Sequence, residues 1–140
     1  FGSPDQLDGV DATTYLTSGK NSELTFGFDS LQKYFGLLWG SVDNYNTLSF
    51  YNGVTLVGSI TGTDITANAN GNQGASGTYY VNINDTLGAG FDSVVATSTQ
   101  YAFEIDNVAY DSRSHVPDSG ATVALVGAAL VGLAALRRKL

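Results

Sequence analysis

With 140 residues the chain has room for one modest core and a tail, and it contains neither cysteine nor methionine. Residues 1–115 hold twelve acidic side chains against three basic ones (Lys20, Lys33 and Arg113), a net of −9, whereas Arg137, Arg138 and Lys139 crowd the last four positions. An acidic body excludes nucleic acid as a partner, since phosphates demand a basic face, and the lack of cysteine excludes disulfides and thiolate metal sites while leaving the compartment open. Because no methionine starts the chain, it is expected to be an N-terminally truncated or processed product, with any export signal upstream of Phe1.

In chain order, the body reads as short runs of β-branched and aromatic residues separated by Gly, Asn and Asp. Strands are predicted at 23–28 (ELTFGF), 34–39 (YFGLLW), 46–51 (NTLSFY), 54–60 (VTLVGSI), 78–83 (TYYVNI), 91–98 (FDSVVATS) and 101–110 (YAFEIDNVAY). No stretch before residue 120 has the 3.6-residue period of a capped helix. The fold class is therefore all-β: a single antiparallel β-sandwich, jelly-roll-like, over residues 1–110. A polar linker, 111–115, follows it.

Within that body, "NTLSFYNGVTLVGSI" is a hairpin with two competing registers. A two-residue loop would pair Tyr51 with Val54. A three-residue loop, Tyr51–Gly53 with Gly53 left-handed, pairs Phe50 with Val54 and Leu48 with Leu56. The second collects apolar residues on one face, so it is the register expected here. Farther on, "ANANGNQGASG" (67–77) has no large apolar residue and reads as a surface loop that supports no core.

Candidate chemistry in the body is sparse, and no enzyme is expected. The single histidine, His115, lies in the linker, so a nucleophilic triad has no base. Glu104 and Asp106 share a strand face roughly 7 Å apart, from two residues' rise, as solvated carboxylates on an exposed strand do. Sugars stack on exposed aromatics beside amides and carboxylates. Tyr45, Tyr51 and Tyr80 are the candidates for a glycan-binding module, the alternative to a structural surface protein; Trp39, among Phe35, Leu37 and Leu38, is expected in the core.

The tail has three parts: Val116-Pro117-Asp118-Ser119-Gly120, an uncharged run Ala121–Leu136, and the basic cluster Arg137-Arg138-Lys139. As a helix the run spans about 24 Å at ~1.5 Å per residue, marginal for a ~30 Å hydrocarbon core. Basic residues at its end act as a stop-transfer signal and keep that end cytoplasmic, with the body on the far side of the inner membrane. Pro117 favours an extended Val116, and Asp118 or Ser119 can cap the helix. Gly120, Ala124, Ala128 and Gly132 recur four apart, a spacing that lets helices approach closely.

This arrangement resembles the PEP-CTERM class of sorting signals, in its VPDSG variant. The resemblance implies export by a Gram-negative bacterium and recognition by the exosortase, a membrane-embedded cysteine protease. It also implies removal of the tail and passage to the cell surface or surrounding matrix. The body, especially "YFGLLWGSVDNYNTLSFYNG" and "YAFEIDNVAY", resembles β-rich ectodomains that carry this signal. "FEIDNV" is also similar to the closing strand of jelly-roll carbohydrate-binding modules, which implies Asp106 as a ligand to structural Ca²⁺. One strand cannot supply the six or more oxygens that Ca²⁺ takes, so no cofactor is otherwise expected. The implied partners are the exosortase, the inner membrane and, on the glycan reading, an extracellular polysaccharide.

Overall fold

The computed structural model describes residues 5–6, 9–10 and 13–113. Ten strands account for most of them: β1 (Asp5–Gln6), β2 (Gly9–Val10), β3 (Leu16–Ser18), β4 (Ser22–Gln32), β5 (Tyr34–Gly40), β6 (Asn46–Asn52), β7 (Thr55–Thr61), β8 (Tyr79–Asn84), β9 (Phe91–Ser98) and β10 (Phe103–Asp111). Among the described residues helix is confined to one turn at Gly62–Ile65 and a 3₁₀ turn at Ala75–Gly77. All seven predicted strands are present, with β4 running four residues beyond its predicted end. The three short strands before it had no apolar alternation to announce them.

β1 and β2 pair with each other, and the other eight strands form two antiparallel sheets. One sheet has the order β3-β10-β5-β8 and the other β4-β9-β6-β7. Alternation turns Phe35, Leu37 and Trp39 of β5, with Phe103 and Ile105 of β10, toward Leu48 and Phe50 of β6 and Phe91, Val94 and Ala96 of β9. Edge-on ring contacts join the sheets: Phe35 lies 6.1 Å from Phe50 and 6.3 Å from Phe28. Trp39, fully buried, stacks on Phe103 at 4.4 Å.

The β6–β7 hairpin adopts neither expected register. Asn52 pairs with Thr55 and Tyr51 with Leu56, so the two-residue loop is Gly53-Val54, one residue later than "NG" suggested. Gly53 takes φ 56°, the position that a hairpin with glycine first in its loop requires. The register then slips, because Phe50 pairs with Gly58 and leaves Val57 as an extra residue. Beyond that bulge Leu48 faces Ile60. The bulge thus brings Val57 and Ile60 to the core beside Leu48 and Phe50 and leaves Val54 and Leu56, expected on that face, exposed.

A second bulge explains a break in the period of β10. Phe103 and Ile105 face the core, and after a step of three Val108 packs against it, with Tyr110, itself mostly exposed, reaching the Phe28 ring on the same side. Asp106 pairs with Leu38 and Ala109 with Gly36, so Asn107 and Val108 oppose Leu37 together. Asn107 absorbs the extra residue at φ 49°, which asparagine tolerates better than most residues.

The two ends of the sandwich differ. One end gathers 18–22, 40–46, 61–79 and 98–103; the other gathers 29–34, 52–55, 84–91 and the departing chain at 111–113. At the first end, residues 67–77 do more than skirt the surface. Backbone bonds join Val42 to Gly77 and Gly71, Asp43 bridges Asn70, and Ala69 enters the core cluster. Small residues were needed there for close approach: a Cβ on Gly71 would stand 2.6 Å from an Asp43 carboxylate oxygen, and one on Gly62 2.0 Å from the Asp43 carbonyl.

Candidate functional site

The predicted sorting residues Val116, Pro117, Asp118, Ser119 and Gly120, the run Ala121–Leu136, and Arg137, Arg138 and Lys139 all lie outside the described residues, as does His115. Among the described residues no helix is long and apolar enough to cross a membrane. What the structure does show is where and how the chain leaves the sandwich. Lys33 N–H donates to the Asp111 carbonyl at 2.8 Å, and Asp85 N–H donates to the Lys33 carbonyl at 2.8 Å. Arg113 N–H donates to the Asp111 carboxylate at 2.9 Å. The exit is therefore stitched to the β4–β5 turn and to the start of the 85–90 loop, so the described chain ends at a fixed point on one end of the sandwich.

That end is ordered by carboxylates turned onto backbone donors. Asp85 accepts from the N–H groups of Leu87, Gly88 and Gly90 at 2.9, 2.9 and 2.6 Å. These bonds, led by that from Gly90, hold its carboxyl below the ordinary value. Asp92 accepts from Gly53 N–H at 3.1 and 2.9 Å, and Asn52 Nδ2 donates to the Ala89 carbonyl at 3.1 Å, joining the hairpin tip to the same loop. Around this frame Leu31, Val54, Leu56 and Leu87 stand exposed.

The three candidate sugar-contacting tyrosines fall on three separate surfaces. Tyr45 is half-buried at the loop-rich end, its hydroxyl donating to the Tyr101 carbonyl at 2.6 Å. Tyr51 is half-buried near the hairpin tip, and Tyr80 is exposed on β8, opposite Leu38. No common platform forms from them.

The Glu104–Asp106 reading needs correction. Their strand is interior to its sheet, between β3 and β5, and Glu104 is buried rather than solvated. Both alternate with core residues and so lie on the outward face, which the N-terminal segment reaches: the Thr13 hydroxyl donates to Asp106 at 2.5 Å. Asp106 also accepts from Asn107 N–H at 2.7 Å, so the carboxylate expected to bind Ca²⁺ helps secure the bulge. Among the described residues no three acidic or histidine side chains are grouped to hold a metal ion.

A cluster not anticipated from sequence lies at the loop-rich end. The Ser41 hydroxyl donates to the Glu104 carboxylate, and Ser41 itself has φ 42°. Asp43, also buried, is raised above the ordinary carboxylate range by loss of solvent. Between the acids, the Tyr45 phenol is pushed well up, by burial first and then by Asp43 and Glu104. The phenol thus stays protonated and works as a donor that ties the β5–β6 connection to Tyr101. Part of the signal is the uninterrupted "GSVDNY" between two strong strands, but the burial of Asp43 and its meeting with Glu104 depend on segments distant in sequence.

A protein-family model, the VPDSG-CTERM motif, matches residues 115–140. The C-terminus therefore carries a PEP-CTERM-type sorting signal, which marks an exported, surface-targeted protein. No curated protein and no solved structure matches the chain.

Proposed function

We propose that this is a structural protein of the bacterial surface or extracellular matrix, delivered through its C-terminal tail and without catalysis of its own. On this reading the precursor is exported and held in the inner membrane by Ala121–Leu136. The exosortase recognises Val116–Gly120, and cleavage releases an acidic body freed of Arg137, Arg138 and Lys139. The match of the sorting motif to residues 115–140 carries the proposal. The body supports it in kind: two closely packed antiparallel sheets in the order β3-β10-β5-β8 and β4-β9-β6-β7 are wound as a jelly roll, a compact frame for a displayed module. The dispersal of Tyr45, Tyr51 and Tyr80 weighs for this structural reading over the glycan-binding one.

The test is made in a host that carries the exosortase. Deleting residues 116–140 should remove the protein from the cell envelope and leave it soluble on the far side of the inner membrane. Pro117→Ala with Asp118→Ala should leave insertion intact and slow removal of the tail. Unchanged delivery of both variants would overturn the proposal.

A further inference from the structure

We infer that the end of the sandwich from which the tail departs is a membrane-facing surface, and that in the precursor its apolar rim rests in the interfacial layer of the bilayer. The inference rests on the proposed insertion of Ala121–Leu136, and it adds an orientation that insertion alone does not imply.

Three observations converge on it. The first is the tether. Described structure reaches Arg113, and Ala121 follows eight residues later, at most about 27 Å away at ~3.4 Å per residue. Because Asp111 is bonded to Lys33 and Lys33 to Asp85, that short tether starts from the end that holds the 52–55 and 84–91 loops. The loop-rich end, with Tyr45 and Gly62, lies a strand's length farther off, roughly 23 Å for seven residues.

The second is where exposed apolar side chains fall. Val54 is 98% exposed and Leu87 90%, the highest values among the exposed large hydrophobic residues, and Leu31 and Leu56 stand on the same end. Val54 and Leu87 sit in the tight turns Gly53-Val54 and Asp85–Gly90, and Leu31 and Leu56 in the strand ends beside them. Exposed apolar side chains gathered at one end mark a contact surface, and a lipid interface takes such residues without requiring shape complementarity.

The third is charge. Of the three basic residues in the body, Lys33 and Arg113 both belong to this end, and the Arg113 side chain is 86% exposed. Of the four acids there, Asp85 and Asp92 accept from the backbone donors of the two loops, Asp111 pairs with Arg113 at 3.6 Å, and Asp29 stands exposed on β4. The exposed Arg113 guanidinium, one-sidedly paired and close to the chain's exit, suits the phosphates at the acyl boundary of a bilayer.

Because the chain has no cysteine, single-cysteine variants of the full-length protein give a direct test. Val54→Cys, Leu87→Cys, Gln73→Cys and Ala128→Cys would each carry an environment-sensitive fluorophore. Each variant would be reconstituted in phosphatidylcholine vesicles containing a lipid with a shallow nitroxide quencher, and Ala128→Cys in vesicles containing a lipid with a deep one that reaches the bilayer centre. Val54 and Leu87 are so exposed that substitution should leave the fold intact. Quenching at Ala128→Cys reports insertion of the tail. With that established, the probes at Val54→Cys and Leu87→Cys should be quenched at least about threefold more than the probe at Gln73→Cys, on the opposite end. Equal quenching at all three body positions, with the Ala128→Cys probe quenched, overturns the inference and leaves tail insertion standing. An unquenched Ala128→Cys probe overturns both. Dependence of the Val54 and Leu87 signals on an added membrane protein would equally overturn contact with lipid.

Discussion

Asn107 and Asp43 show how single residues carry the fold's less obvious constraints. Asn107 holds φ 49° at the β10 bulge, where a β-branched residue would be strained. Asn107→Val should therefore cost about 1–2 kcal/mol, whereas Asn107→Gly should be close to neutral; chemical denaturation of both variants checks the difference. Asp43 is a different kind of constraint. Burial raises it above its ordinary 3.8, so the folded protein keeps a proton that the unfolded chain has released. Its contribution to stability therefore falls as pH rises from 3.8 through the higher folded value, and then levels off. Asp43→Asn should gain in Tm relative to the parent at pH 7 and show less advantage near pH 3. A constant difference across that range would contradict the assignment of Asp43 as a buried acid. Trp39 is the simplest case: it is fully buried, and its indole N–H has no acceptor among the described residues. Trp39→Ala should cost about 3–5 kcal/mol, the range for emptying a large core site.

At the scale of elements, the strands were legible because alternation survives in them. Leu48 and Phe50 on β6, and Val94 and Ala96 on β9, mark one inward face without ambiguity. The hairpin register was not legible, for a physical reason. "YNGV" admits turns centred on Asn52-Gly53 or on Gly53-Val54, and the bulge at Val57 cancels the penalty for the later one. A pattern reading takes register as set at the loop and carried along the strand; here it is reset at Val57, three residues past the loop. Gly53→Ala should consequently be destabilising by about 1 kcal/mol or more, since φ 56° disfavours a Cβ. Val54→Asn, at a position 98% exposed, should be tolerated. Equal sensitivity at the two positions by thermal melting would argue for a different loop. The 67–77 loop was misjudged for a related reason. Its lack of large apolar residues suggested that it packs nothing, but glycine and alanine are what let it lie directly against Asp43 and Val42.

For the whole molecule, function was most legible where structure is least involved. The order of motif, apolar run and basic cluster over 116–140 points to sorting without any knowledge of the body, and the family match to residues 115–140 agrees. The body's own chemistry was read less well. Tyr45, Tyr51 and Tyr80 were grouped by residue type and separated by the fold. Asp43 and Glu104 were brought into one cluster by loops that no local pattern connects.

The central claim is that the tail is a removable address. It is tested most directly by intact-mass measurement of the protein from a native host, with and without its exosortase. The account predicts a mature mass that lacks the residues after about Gly120 when the enzyme is present, and the full-length mass when it is absent. The full-length mass in both strains would contradict it and return residues 116–140 to the role of a permanent anchor.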